Sequence, residues 1–379
     1  MKYRDNNKPM RSHIEQKKRI IIKIGSALLV DAGYQLNETW LNALAYDVAS
    51  LKEKGIEVII VSSGSVALGR QILRCTNRKC TLAEKQAAAS IGQIQLANAY
   101  KRIFYDYKMN VAQVLLSIDD SETRHRYINA QNTLQTLLKF NVVPIINEND
   151  TVATTEISYG DNDRLAARVA QMVEADLLIL LSDIDGLYSA NPHFEKTAKF
   201  IPIVDKIDAD IRSMAGQSHT KISSGGMITK IMAAEIATKN GCDMILCRGN
   251  IQNPIAHLLK QERYTLFKAQ PLTQNAKKRW LAHHLQHQGQ IVVDAGTVEA
   301  LLLGNSLLAA GVTACDGMFK KGDIVNICDQ NRQVIAVGMV NFSQETLDKI
   351  KGKTRQQIEM YLNNKNVKAV VHRNDMVVV

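Results

Sequence analysis

Short apolar runs recur through the first two thirds of the chain. Between them, apolar residues return every three or four positions. Residues 19–24 (RIIIKI), 56–61 (IEVIIV), 111–116, 142–146, 176–181 and 243–247 are rich in Val, Ile and Leu and too short for stable helices. They predict buried strands. Leu41, Leu44, Ala45, Val48 and Leu51 share one helix face, with Gly55 placed to end that helix. Residues 128–138, 164–173 and 227–239 predict further helices, the last closed by Gly241. Strands apolar on both faces, alternating with helices, imply a mainly parallel sheet with helices on either side. In such a sheet the functional loops collect at the carboxyl ends of the strands.

The rhythm changes after residue 268. Pro271 and polar residues lead into a basic stretch, Lys277-Lys278-Arg279-Trp280. From Gly289 onward the apolar segments are short and mostly separated by turn residues, which predicts a small, mostly β domain. The expected organisation is a basic flexible tail over 1–19, an α/β domain over 20–267, a linker over 268–276 and the mostly β domain over 277–379.

Composition narrows the class. With 46% hydrophobic and 22% charged residues among 379, the chain suits a soluble protein with a large core. No apolar run approaches the roughly 20 residues of a membrane span. No hydrophobic segment follows the basic N-terminus as a signal peptide requires, so a cytoplasmic location and no membrane partner are expected. The formal charge of +10 sits at the ends: residues 1–19 hold seven Lys/Arg against two Asp/Glu, and 268–379 hold fourteen against nine. The middle holds 26 of each. Basic ends keep RNA contact open as a rival function, although a solvated surface accounts for them more simply. Cys75/Cys80 and Cys242/Cys247 are spaced too widely for a zinc knuckle, and reduced thiols are expected.

The candidate chemistry lies in loops after strands. Asn147-Glu148-Asn149-Asp150 and Asp161-Asn162-Asp163 place many short carboxylates and amides within a few residues. Packing has little use for them, whereas a site for a charged, amine-bearing ligand does. Lys23, inside an apolar run, needs an anionic partner if buried, and Gly25-Ser26 follows it. Ser62-Ser63-Gly64-Ser65 closes the second run. Ser182-Asp183 follows the fifth and suits either a nucleoside contact or a tight turn. Ser224-Gly225-Gly226-Met227-Ile228-Thr229-Lys230 is a glycine turn entering a helix, with a cation in its first turns. It is not a P-loop, but it offers the same means of holding phosphates.

In order along the chain, KIGSALL (23–29), VIIVSSGSVALG (58–69), VVPIINENDTVATTEISYGDNDRLAA (142–167), LLILLSDIDGLYSANP (177–192) and GGMITKIMAAEIA (225–237) resemble the amino acid kinase family. Within it they resemble the branch acting on the side-chain carboxylate of L-glutamate. The segments at 289–312 and 369–377 are similar to the PUA domain. The resemblance covers roughly residues 19–375, and the block from Asn147 to Asp163 is its most specific part. It implies a three-layer α/β/α fold, ATP and Mg²⁺ as cofactors, and transfer of a phosphoryl group to glutamate at the start of proline synthesis. It places Lys23 and Lys230 beside the transferred group with Asp163 between them. Ser63, Asn147, Asp150 and Asn162 would bind glutamate. Ser182, Asp183, Ser224, Gly225, Gly226, Met227, Ile228, Thr229 and both lysines would line the ATP site. It further implies inhibition by proline, with Asp119-Asp120 one candidate for that region, and a homo-oligomer, dimer or tetramer. RNA contact through the PUA-like tail is the rival. Two departures stand out: Ser182 occupies a position where threonine is usual, and Ala27 one where a hydroxyl residue is usual.

Overall fold

In the computed structural model, which describes residues 10–76, 78–152, 161–192, 194–215, 226–260, 263–271, 289–362 and 369–378, every apolar run noted above is a strand. These are β1 (Arg19–Ile24), β2 (Glu57–Val61), β3 (Val111–Leu116), β4 (Val143–Glu148), β5 (Leu177–Ser182) and β9 (Asp243–Arg248). Shorter strands lie between and after them: β6 (Leu187–Tyr188), β7 (Phe200–Ile201), β8 (Ile203–Val204) and β10 (Tyr264–Phe267). Eight strands form one sheet in the order β3-β4-β2-β1-β5-β9-β10-β8, and β6 pairs with β7. All pairs in the large sheet are parallel except β9 with β10.

From β1 the chain moves outward to β2, then β3 and β4, and returns to the other side of β1 as β5. The strand order therefore reverses between β1 and β5. Such a switch point leaves a crevice beyond the carboxyl ends, because the following connections diverge to opposite faces. Ile20, Ile22 and Ile24 of β1 join a core with Ile179 and Leu181 of β5 and Trp40, Leu41 and Leu44 of the helix Glu38–Glu53. Strand side chains alternate, so Lys23 points to the opposite face.

The described residues divide into two compact units, Met1–Ser121 with Ala130–Pro271, and Glu122–Asn129 with Leu272–Val379. The grouping of 122–129 with the second unit is not foreshadowed by the sequence pattern. Three expected linker residues belong to the first unit's hydrogen-bond network: Lys268 N donates to Val204 O, Ala269 N to Asp243 Oδ1 and Gln270 N to Thr238 O. The expected tail is also corrected. Residues Met10–Glu15 form a helix whose Met10 and Ile14, one turn apart, are buried in the main core. Two apolar residues at that spacing give the segment a face to bury, despite the surrounding basic charge.

The second unit contains β11 (Gly289–Val293), β12 (Val312–Gly317), β13 (Ile324–Cys328), β14 (Val334–Val340) and β15 (Val371–Val378). They form a five-stranded sheet in the order β12-β11-β13-β14-β15, antiparallel except for β11 with β13. Ile291, Val293, Val325, Ile327 and Val371 make its core.

Candidate active site

Four neighbouring strands, β4, β2, β1 and β5, carry Asn147, Lys23 and Ser182, with Ser63 just beyond β2. Lys23 is the penultimate residue of β1. Its Nζ lies 2.6 Å from Asp163 Oδ1, and Lys230 Nζ lies 3.3 Å from Asp163 Oδ2. Thr229 Oγ1 donates to the same Oδ2 at 3.0 Å. Asp163 comes from the first turn of the helix Asp161–Met172, and Thr229 and Lys230 from the first turns of the helix Met227–Lys239. All three charged groups are buried, at 7% exposure for Lys23, 1% for Asp163 and 8% for Lys230.

The trio holds two cations and one anion. Burial works to raise the Asp163 pKa, but the two ammonium groups outweigh it, Lys23 foremost, and hold the carboxyl below its ordinary 3.8. Burial pushes the Lys23 ammonium below its ordinary 10.5, and the repulsion of Lys230 adds to this. The attraction of Asp163 opposes both effects. The trio therefore carries more positive than negative charge, and an arriving phosphate would balance it.

Helix starts add backbone donors. The helix Ser65–Ile72 begins after Gly64, whose φ of 98° lies in the left-handed region that favours glycine. The helix Met227–Lys239 begins after Gly226. Neither start has a side-chain cap, so their first N–H groups are available to an anion. A Cβ on Gly226 would meet nothing within 4 Å, and one on Gly25 only Leu181 O at 3.8 Å. Among the described residues a side chain at either position would meet no close contact. Ser182 is buried at the end of β5 and donates to Asp183 Oδ1 at 2.9 Å, while Asp183 is exposed. Ile228 and Ala27 are exposed near these starts. Ser224 and Gly225 lie outside the described residues.

The acid–amide residues assemble around Asn162. Its Nδ2 donates to Ser62 O and Ser63 Oγ, each at 2.9 Å, and to Asn147 Oδ1 at 3.2 Å. Its Oδ1 is buried and accepts no hydrogen bond among the described residues. A buried carbonyl oxygen left this way costs about 1–3 kcal/mol, which a donor on a ligand would recover. Asp150, 8% exposed, accepts from Ser65 Oγ at 3.3 Å. Asn147, 1% exposed, donates to Gln93 Oε1 at 2.7 Å and Ser65 Oγ at 3.3 Å, and accepts from Glu148 N at 2.9 Å. With the bond from Asn162, both donors and both lone pairs of Asn147 are used. A cavity of about 260 Å³ lined by Ser65, Gln93, Glu148 and Asp150 opens beside this cluster.

The sequence pattern did not single out Gln93 or Tyr100, whose hydroxyl shares a hydrogen bond with Ser62 Oγ at 3.1 Å. The available signal was a polar residue on the buried side of an Ala-rich helix, Leu82–Asp106. Asp119 and Asp120 lie in the short helix Ile118–Glu122, where Asp120 Oδ2 accepts from Ser117 N and Oγ, each at 2.7 Å. All six cysteines are buried and free, and burial pushes the Cys247 thiol up to about 12. Among the described residues no group of three or more His, Cys, Asp or Glu could hold a metal ion. Nor is any described helix long and apolar enough to cross a membrane.

Two buried lysines on one carboxylate, two helix starts without side-chain caps and a neighbouring polar-lined cavity thus belong to the same unit. Residues 18–248 match the amino acid kinase family and residues 289–362 the PUA domain. A glutamate 5-kinase of Bartonella henselae is 50% identical over 360 residues, 95% of this chain and 95% of that protein. The glutamate 5-kinase of Brucella anthropi is 46% identical over 369 residues, 97% of this chain and 98% of that protein. The UMP kinase of Ureaplasma parvum has a TM-score of 0.48 and 18% identity, over 67% of this chain and 99% of that one. The chain belongs to the amino acid kinase family, in its glutamate 5-kinase branch.

Proposed function

We propose that this protein transfers the γ-phosphoryl group of ATP to the side-chain carboxylate of L-glutamate, the first step of proline biosynthesis. A carboxylate oxygen attacks the γ-phosphorus, the bond to the β–γ bridging oxygen breaks, and L-glutamyl 5-phosphate and ADP leave. The attacking group is ionised at neutral pH, since a glutamate side chain titrates near 4.3. No general base is needed, and the protein's task is positioning and charge stabilisation. The observation that carries this proposal is the buried trio of Lys23, Asp163 and Lys230, net positive at the switch point of the sheet.

In this proposal Lys23 and Lys230 flank the transferred phosphoryl, and Asp163 keeps them apart and oriented. The start of the helix Met227–Lys239 and Ser182-Asp183 take the nucleotide. Asn162 Oδ1 and the Asp150 carboxylate receive the α-ammonium of glutamate, and Ser63 contributes its hydroxyl. Mg²⁺ fits best as a companion of the nucleotide, held by phosphate oxygens and water. The Asp163 carboxylate is already engaged by two lysines. When bound, the ion would neutralise charge on the β- and γ-phosphates.

The deciding assay traps acyl phosphate with hydroxylamine while following ATP consumption, across glutamate, aspartate, N-acetylglutamate and carbamate. Product from glutamate supports the proposal. No product from glutamate, with product from another acid, rejects the substrate. Proline is proposed as an inhibitor competing at or near the glutamate pocket, in a cytoplasmic homo-oligomer. Competitive inhibition against glutamate and a sedimentation mass above one chain test these points. The PUA match supports RNA contact as the second reading. A salt-dependent RNA shift that is lost when residues 277–379 are deleted is its test.

A further inference from the structure

The helix Leu82–Asp106 carries none of the motifs described above, yet it brings two buried polar side chains to the amino-acid end of the site. Gln93 is 9% exposed and Tyr100 fully buried. They lie two turns apart and so share one face. Close approach is permitted by Gly92, where a Cβ would lie 1.8 Å from Ser65 O.

We propose that Gln93 is a positioning residue for the α-ammonium of the substrate, acting through Asn147 and Asn162 to select amine-bearing diacids. This rests on the reading of the site given above. The direction of the relay follows from two backbone groups that have no choice. Glu148 N–H can only donate, so Asn147 must turn its Oδ1 toward it. The Asn147 amide nitrogen then faces Gln93, which must present its Oε1, and does so at 2.7 Å. Ser62 C=O can only accept, so Asn162 turns its nitrogen toward Ser62 and Asn147. What remains is Asn162 Oδ1, a buried acceptor. An ammonium group satisfies it; the methylene of an amine-less diacid does not.

Without an acceptor at position 93, the Asn147 N–H that faces it loses its partner, while the other keeps Ser65 Oγ at 3.3 Å. Glu148 N–H still fixes which end of the Asn147 amide faces Asn162, so the amide does not flip. It tilts toward another acceptor, and the Asn162 nitrogen bonded to its Oδ1 is displaced with it.

The test compares the full chain with Gln93→Met, which keeps side-chain length but has no comparable acceptor, and Gln93→Glu, which keeps an acceptor. The measurements are kcat and KM for glutamate, kcat/KM for glutarate (the same diacid without the amine), and KM for ATP. For Gln93→Met the KM for glutamate should rise roughly tenfold, the worth of one buried hydrogen bond, with kcat within about twofold. The preference for glutamate over glutarate should fall by a similar factor, and KM for ATP should stay unchanged. Gln93→Glu should keep the preference within about threefold. A folded Gln93→Met with undiminished preference, or with equal losses on both acids, overturns the relay. If Gln93→Met does not fold, a folded Gln93→Glu that loses the preference overturns it equally. A wild-type chain that makes no acyl phosphate from glutamate rejects the functional reading itself, which is a separate outcome.

Discussion

Lys23 and Lys230 place two ammonium groups on one buried carboxylate, and this surplus decides how the site responds to substitution and to pH. Replacing either lysine by alanine should lower kcat by about 10²–10⁴, the worth of an electrostatic contact made in the transition state. The thermal melt should remain cooperative. Near-normal turnover in either variant would reject that lysine's role. Because the folded pKa of Lys23 is lowered, the folded chain without nucleotide binds fewer protons than the unfolded chain in the window below 10.5. Stability contributed by this group therefore rises with pH through that window. Bound phosphate opposes this shift, so ATP binding in the alkaline window below 10.5 should draw a proton from the buffer. Calorimetry in buffers of different ionisation enthalpy measures this; a binding enthalpy independent of buffer would count against it. At Gly226, φ −66° and ψ −179° suit any residue and a Cβ meets nothing within 4 Å. Gly226→Ala should change stability by less than about 0.5 kcal/mol while raising KM for ATP.

Among the elements, the long helix Leu82–Asp106 was the least legible. Its start is well marked by a capping box, Thr81 with Glu84. Leu96, Ile103 and Phe104 mark the inner face of its second half, but in the first half the buried side is Ala88, Ala89, Gly92 and Gln93, which gives no large apolar stripe. The reason for such small residues appears only in packing. A Cβ at Gly69 would lie 1.8 Å from Ala88 O, matching the close approach at Gly92, so two helices meet backbone to backbone. Gly92→Ala should therefore cost roughly 1–3 kcal/mol through overpacking and also raise KM for glutamate, because Ser65 must move. An unchanged denaturant midpoint would show that the helices can separate at no cost. β8 and β10 went unread for a different reason: runs of two and four residues carry too little periodicity.

At the scale of the whole molecule, the N-terminal segment closes the base of the sheet. Lys17 Nζ lies 2.6 Å and His13 Nε2 3.1 Å from Asp243 Oδ2, at the start of β9. Burial works to raise the Asp243 pKa, but hydrogen bonds from His13, Lys17 and Ala269 hold it far below the ordinary 3.8. A carboxyl with a depressed folded pKa contributes stability above its unfolded pKa and loses it as pH falls through the folded value. Lys17→Met should thus destabilise the protein by roughly 2–3 kcal/mol at neutral pH, the cost of removing one partner of a largely buried charge. The deficit should narrow as pH falls from 3.8, the unfolded value, toward the much lower folded value. Denaturant titrations across that range measure it, and a deficit constant with pH would place the loss in packing.

The six longer strands of the main sheet and the helix over 227–239 were legible in the sequence alone, and so was the need of Lys23 for an anionic partner. They rest on local period, glycine placement and charge, whereas the roles of Ser63, Asn162, Asp163 and Ser182 came from the family resemblance. Which end of each amide faces the ligand was decided only by tertiary structure. Asn147 carries the same side chain in either orientation, and its direction depends on Gln93, which is distant in sequence, and on the N–H of Glu148. The same holds for the N-terminal helix: its basic composition suggests solvent, and only the Met10–Ile14 face and a buried Asp243 explain why it docks. A donor or acceptor has no preferred direction until folding brings it a partner, so local sequence supplies the groups and the assembled fold supplies their polarity.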